Sequence, residues 1–360
     1  MRHSTDNLRI VGTQKVLPPA KLHLKLPMSD IASETVFSAR IQTQDILQSK
    51  DDRLIVIVGP CSIHDPDAAR EYAAKLKPII AELKDDLHII MRVYFEKPRS
   101  VVGWKGLIND PYLDGSFKIN DGLHFARSLL LDLAETGVPA ATEYLDLISP
   151  QYIADLVSWG AIGARTTESQ AHRELASGLS CPVGFKNATD GSLQIAVDAC
   201  LSASKPHHFM SLTHEGQSAI FSTTGNPDCH IILRGGKSPN YEVQSVNDAA
   251  RQIGRSGQPV RIMIDCSHAN SGKNHTQQEN VCHDVAAQVA NGDKRIVGLM
   301  LESHLVAGRQ NKQVGEPLVY GQSITDACMA WTDTEPLLRE LAAATRARRQ
   351  HQEIKTPKQS

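Results

Sequence analysis

Residues able to bind ions or carry protons recur in this chain at one kind of place, where an apolar run gives way to polar sequence. In chain order these are Cys61, Arg92 with Lys97 and Arg99, Glu143, Arg165, Lys186, Arg234, Asp265 with His268, and Glu302 with His304. They divide by charge. Arg92, Lys97, Arg99, Arg165, Lys186 and Arg234 make a basic group in a chain of net charge -2. Cations brought together repel unless an anion is the intended partner, and planar guanidinium groups fit phosphate and carboxylate oxygens. Such a group predicts a substrate with several anionic groups. Gly235 and Gly236, beside Arg234, would let backbone N–H groups approach the same anion. The second group is Cys61, His268, Glu302 and, from the segment YGQSITDAC, Asp326. Thiol, imidazole and two carboxylates form a mixed donor set suited to Mn, Fe, Co or Zn rather than Mg or Ca. The four are scattered along the chain, so spacing alone is a weak signal; among fifteen histidines, His64, His172, His275 and His304 stand in reserve.

What must position these residues is a serial repeat. Short β-branched-rich runs at 54–62, 88–99, 139–145, 161–166, 182–187, 230–236, 261–270 and 296–304 alternate with helix-like segments, among them 66–83, 121–136, 168–177, 244–256, 276–290 and 334–348. Serial βα units build a parallel sheet, and eight of them close a (β/α)8 barrel, whose active site lies at the C-terminal ends of the strands. That is where the charged residues fall. No G-x-G-x-x-G follows the first run, which removes a dinucleotide-binding sheet. Two segments stand outside the repeat: residues 1–50, and 207–224, which reads as an inserted hairpin around a Glu-Gly turn. The expected organisation is an extension at 1–50, a barrel at 51–350 carrying the hairpin, and a polar tail at 351–360. The closing stretch RARRQHQEIKTPKQS is expected to fray.

Composition narrows the class. With 360 residues and 41% hydrophobic there is enough chain for a large core, and 38 basic against 40 acidic residues is too little bias for a nucleic-acid or anionic-membrane binder. No apolar run reaches a membrane span or forms a signal peptide. Seven cysteines, an odd number without a C-x-x-C pair, argue against a disulfide scaffold and point to a reducing, cytoplasmic setting. From the residues alone the function is that of a metal-assisted lyase or aldol-type enzyme acting on phosphorylated acids.

Longer motifs sharpen this. GPCSIHD (59–65), RVYFEKPRS (92–100), GWKGLINDP (103–111), GARTTESQ (163–170), GFKN (184–187), ILRGG (232–236), DCSHAN (265–270), ESH (302–304) and SITDAC (323–328) closely resemble the microbial, feedback-regulated type I 3-deoxy-D-arabino-heptulosonate 7-phosphate (DAHP) synthases. The likeness runs from about residue 8 to 350. It implies condensation of phosphoenolpyruvate with erythrose 4-phosphate, releasing phosphate, as the first step of the shikimate pathway to aromatic amino acids. On matching positions it implies a divalent metal, Mn first, held by Cys61, His268, Glu302 and Asp326. Phosphoenolpyruvate would bind Arg92, Arg165, Lys186 and Arg234, and the tetrose phosphate Lys97, Arg99 and Ser100, with Lys97, Cys61 and His268 as the catalytic set. Many relatives carry Thr where Ser100 stands, which keeps the hydroxyl.

The same resemblance implies an aromatic amino-acid effector site near a subunit interface of a homo-oligomer, with a tetramer expected. Its residues would be Asp6 and Ile10 from a neighbouring subunit with Pro150, Gln151, Leu175, Leu179, Ser180, Phe209 and Ser211. Asn7 stands where phenylalanine-sensitive relatives carry a second Asp, and Phe221 replaces a smaller residue; phenylalanine is favoured, then tyrosine. Two other readings compete. The sister synthases that make the eight-carbon 3-deoxy-octulosonate phosphate typically carry a KANRS-type segment where this chain has Lys97-Pro98-Arg99-Ser100, and they lack a long N-terminal arm. A silent phosphate-metabolite sensor on the same barrel would require a lost ligand or lysine, and none is missing.

Overall fold

The apolar runs become parallel strands: β1 (Leu54–Gly59), β2 (Leu87–Arg92), β3 (Ala140–Glu143), β4 (Trp159–Ile162), β5 (Val183–Lys186), β8 (Cys229–Leu233), β9 (Ile262–Asp265) and β10 (Ile296–His304). The hairpin β6 (His208–Leu212) and β7 (Ser218–Ser222) lies between β5 and β8 in the chain and forms a separate two-stranded sheet. The barrel strands pair in sequence order, and β10 returns to pair with β1 through Ile55↔Gly298 to Gly59↔Glu302, so the sheet closes. This is a (β/α)8 barrel. The computed structural model describes residues 3–99, 101–312 and 316–355, with side chains to 351. Ser100, expected at the tetrose phosphate, lies outside the described residues.

Helices α1 (Pro19–Lys25) and α2 (Asp30–Leu47) precede the barrel. Between and after the strands come α3 (Pro66–Leu83), α4 (Ile119–Glu135), the short α5 (Pro150–Ile153), α6 (Gln170–Gly178), α7 (Gln194–Ala203), α8 (Val243–Arg255), α9 (Gln277–Ala290) and α10 (Trp331–Lys355). The start of α3 shows why they form where they do. The Asp65 carboxylate accepts from the N–H groups of Asp67 and Ala68, and Pro66 occupies the first turn, where a missing donor costs nothing. Behind that cap, Ala69, Tyr72, Leu76, Ile79 and Leu83 form the apolar stripe that packs on the sheet.

Successive side chains along each strand point to opposite faces, so one strand feeds two cores. Val56 and Val58 face the helices, whereas Ile55 and Ile57 join Ile90, Trp159, Ile232, Met263 and Met300 inside the barrel. Ile46 and Leu47, from the last turn of α2, complete this inner cluster where the strands begin. The barrel is therefore a packed core, and its charged strand-end residues are presented at the opposite end. Three short strands, β11 (Val306–Arg309), β12 (Gln322–Ser323) and β13 (Met329–Ala330), order the loop after β10 that carries Asp326.

The end of the chain departs from expectation. Helix α10 continues through Lys355, and the arginines read as a fraying tail are anchored: Arg349 pairs with Asp52 at 2.7 Å and Asp86 at 2.6 Å, Arg346 with Asp86, and Arg348 is buried. Carboxylates flanking β1 and β2 hold them, a long-range complement that local polarity does not disclose. Among the described residues no helix is long and apolar enough to cross a membrane.

Candidate active site

At the C-terminal ends of the strands, Cys61 Sγ, a Glu302 carboxylate oxygen and an Asp326 carboxylate oxygen lie within 4.8 Å of one another. Cys61 follows β1, Asp326 lies between β12 and β13, and Glu302 is near the end of β10. Gly59 lets this corner form: its φ is +151°, and a Cβ there would stand 2.8 Å from the Arg92 carbonyl oxygen. Burial, then the Glu302 charge, pushes the Cys61 thiol up to about 11. Burial would raise the Glu302 carboxyl too, but Arg92, His268 and Lys97 outweigh it and hold it below its ordinary value. Three hard and soft donors turned toward one point, two of them buried, fit a divalent transition ion.

His268 lies beside this group rather than within it. Its backbone sits at φ +55°, and its Nδ1 is 2.6 Å from Ser267 Oγ and 2.9 Å from Asp265 Oδ2. A carboxylate beside Nδ1 keeps the ring proton there and leaves the Nε2 lone pair for a ligand. When protonated, His268 would favour the charged forms of Glu302 and Asp326, which places it near both carboxylates.

The basic group interlocks with these donors. Lys97 Nζ is 3.1 Å from Cys61 Sγ, Arg92 Nη2 donates to Glu302 Oε1 at 2.9 Å, and Lys186 Nζ is 2.9 Å from Asp265 Oδ2. Arg92 also donates to the carbonyls of Pro60 and Cys61, and its guanidinium lies 3.5 Å from the centroid of the Tyr94 ring. Burial opposes the Lys97 charge, but Cys61 and Glu302 more than offset it, and its pKa is raised. Arg234 is buried with its Nε unpaired among the described residues, a donor held ready for an anion. The like charge of Arg165, exposed on the turn after β4, bears on it. Arg99 is exposed, its Nε donating to the Trp104 carbonyl.

One expectation fails. The N–H of Gly235 donates to Asn240 Oδ1 at 2.7 Å and that of Gly236 to the Ser238 carbonyl at 2.9 Å, so neither is free for an anion. The loop after β8 spends them on its own turn. Of the reserve histidines, His172 bridges Ser169 and the Leu145 carbonyl, while the His64 and His304 rings meet edge-on with centroids 6.4 Å apart, and Tyr72 lies beside His304. Sequence reading also passed over the asparagine framework. Asn187 Oδ1 accepts from the Arg234 N–H, and Asn270 Nδ2 donates to the carbonyls of Leu233 and Asp265. Gln278 of α9 clamps both backbone groups of Glu302. The recurring Asn just past a strand end, in GFKN and DCSHAN, was the available signal.

A separate cavity of about 1010 Å³ opens between α2, α6 and the hairpin. Pro150, Gln151, Leu175, Leu179, Ser180, Phe209 and Ser211 all line it, together with Arg40 and Phe221. Asp6 and Ile10 do not; both are exposed on the N-terminal arm. A short path joins this cavity to the barrel mouth. Ser149, beside Pro150, donates through its hydroxyl to Glu96 Oε2 at 3.0 Å, and Glu96 precedes Lys97. Burial, then the charge of Asp146, pushes the Glu96 carboxyl up to about 7.

Comparison with known proteins agrees with this geometry. The chain is 59% identical over 349 residues, 97% of its length and 100% of the relative's, to the Phe-sensitive phospho-2-dehydro-3-deoxyheptonate aldolase of Escherichia coli. It is 52% identical over 355 residues, 97% of this chain and 95% of the other, to the tyrosine-inhibited enzyme of that name from Schizosaccharomyces pombe. The solved structure of phospho-2-dehydro-3-deoxyheptonate aldolase from Francisella tularensis superposes with a TM-score of 0.92 at 50% identity, covering 94% of this chain and 99% of that one. A family model described as DAHP synthetase I matches residues 34–339, and with these relatives at full length the chain belongs to the DAHP synthetase I family, whose members are enzymes.

Proposed function

We propose that this 3-deoxy-7-phosphoheptulonate synthase condenses phosphoenolpyruvate with erythrose 4-phosphate and water, giving DAHP and phosphate as the entry to aromatic amino-acid synthesis. The observation that carries the reading is the interlocked mouth, in which strand-end cations close over a cluster of metal donors. Arg92, Arg165, Lys186 and Arg234 hold the phosphate and carboxylate of phosphoenolpyruvate, and the unpaired Arg234 Nε offers one such contact. Lys97 donates to the aldehyde oxygen of the tetrose, and Arg99 and Ser100 take its phosphate. The cations offset the repulsion of two anionic substrates and place C3 of phosphoenolpyruvate against the aldehyde carbon. A carbon–carbon bond forms there; water adds at C2, and phosphate departs with its bridging oxygen. Cys61, Glu302 and Asp326, with His268 beside them, would hold one divalent ion per subunit, Mn first and Fe, Co or Zn as alternatives, which when bound supplies Lewis-acid polarisation of a carbonyl oxygen.

The cavity of about 1010 Å³ is read as the site of an aromatic amino-acid inhibitor, phenylalanine first and tyrosine next, completed by Asp6 and Ile10 of a neighbouring subunit in a cytoplasmic tetramer. Loss of phosphoenolpyruvate absorbance on adding erythrose 4-phosphate tests the reaction, with a chelator and then with Mn²⁺ restored. Consumption that needs the tetrose, stops with chelator and returns with Mn²⁺ supports it. Consumption only with arabinose 5-phosphate would replace it by the eight-carbon synthase, and metal binding without turnover would leave a sensor.

A further inference from the structure

We propose that Asp265 is a positioning residue that couples the metal-holding imidazole of His268 to the phosphoenolpyruvate-holding ammonium of Lys186, because its Oδ2 stands 2.9 Å from both. This inference rests on the roles just proposed for those two residues.

Asp265 ends β9 and is wholly buried. Its other oxygen, Oδ1, accepts from the N–H and the hydroxyl of Ser267 at 3.0 and 2.9 Å, which fixes the carboxylate plane and leaves Oδ2 to the cations. Lys186 ends β5, and among the described residues Asp265 is its ion-pair partner. A buried ammonium without a counter-charge is strongly unfavourable, so this contact sets where Nζ stands. His268 approaches the same oxygen from a left-handed backbone, which aims Nδ1 inward.

One oxygen shared by two cations cannot tighten on one without loosening on the other. Nδ1 stands against Ser267 Oγ at 2.6 Å and Asp265 Oδ2 at 2.9 Å, so Nε2 is the nitrogen left for a metal, and a divalent ion held there would withdraw electron density from the ring. Nδ1 becomes more positive and draws harder on Oδ2. Lys186 is then less neutralised by Asp265 and attracts a phosphate or carboxylate oxygen more strongly. Metal thus tightens phosphoenolpyruvate, and by linkage phosphoenolpyruvate tightens metal by the same factor. Removing the charge at unchanged shape breaks the link.

The test is calorimetric titration of phosphoenolpyruvate into metal-free and Mn²⁺-loaded full-length protein, for the parent, Asp265→Asn and Asp265→Glu, with thermal unfolding recorded for each. Mn²⁺ should lower the parent's Kd for phosphoenolpyruvate, and Asp265→Asn should shrink that factor by about fivefold or more, with Asp265→Glu restoring part of it. A folded Asp265→Asn protein that keeps the parent's factor within about twofold overturns the proposal. Should Asp265→Asn lack a cooperative transition, Mn²⁺ affinity is compared in Lys186→Gln and Arg234→Gln. The proposal requires several-fold tightening in the first and little change in the second; equal changes refute it. A parent that binds neither Mn²⁺ nor phosphoenolpyruvate would instead sink the underlying functional reading, so the two failures are distinct.

Discussion

Cys61 and His88 show how one environment gives opposite instructions to two residues. Burial holds the Cys61 thiol above its ordinary range while Lys97 draws it the other way, and a Ser in its place would offer a metal a poorer, harder donor. Cys61→Ser should lower metal affinity by at least about tenfold and activity with it, measured as metal content after dialysis and as phosphoenolpyruvate consumption. Full retention of both would remove Cys61 from the site. His88 is buried on β2, its ring against Thr43 Oγ1 and the Ala39 carbonyl of α2 at 3.1 Å, and burial pushes its pKa down to about 4. Its folded value lies below the unfolded one near 6.5, so between those values the unfolded chain binds the extra proton. Stability therefore falls as pH drops from about 6.5 to 4, by up to roughly 3 kcal/mol from this residue. His88→Asn should flatten the acid limb of urea midpoint against pH; an unchanged slope would show that His88 is not part of it. At this scale the charged strand ends were legible in the sequence because a barrel sends them to one mouth. The partnership of Asp265 with both Lys186 and His268 was not, since an acidic residue at a strand end reads equally as ligand or counter-ion.

Short connections between elements carry more than their length suggests. The short α5 lines the cavity of about 1010 Å³ through Pro150 and Gln151, and the loop that leads into it meets the barrel mouth through the Ser149 contact with Glu96, while α6 reaches the same loop through His172. A ligand that displaced α5 would thereby reach Glu96, the residue before Lys97. Ser149→Ala keeps the cavity wall but drops the hydroxyl, so it should weaken inhibition several-fold while leaving uninhibited turnover within about twofold. Inhibitor titrations of the two proteins that superimpose would assign the signal elsewhere. Element boundaries were readable where a cap or apolar period marks them, as at Asp65 with Pro66. They were misread where distant partners decide, as with the arginines of α10, and the Gly235–Gly236 loop satisfies itself for the same reason: its acceptors come from its own turn.

For the whole molecule, closure of β10 on β1 converts eight local repeats into one site. The N-terminal region divides in two. The end of α2 fills the inner core with Ile46 and Leu47, whereas residues 3–12 are exposed and offer Leu8, Ile10 and Val11 outward. Deleting residues 1–12 should therefore leave folding and turnover intact and abolish inhibition by phenylalanine or tyrosine. Inhibition that persists would mean the cavity is complete within one chain. The sequence could mark this arm as outside the repeat, but only packing separates its anchoring helix from its exposed, irregular first residues.

Cys61 and Asp326 are 265 positions apart, yet the thiol and carboxylate stand 3.7 Å from each other. Bringing them together requires the whole intervening chain to be in place, at an entropic cost that no local repeat can offset alone. On a ribosome or in a refolding tube, the donor set cannot exist before the first strand and the loop after the last have both been placed. If this cluster holds the metal proposed above, a manganese signal would be a clock that starts when the barrel shuts, and a chain ending before Asp326 would take up no metal there however well its early strands have formed.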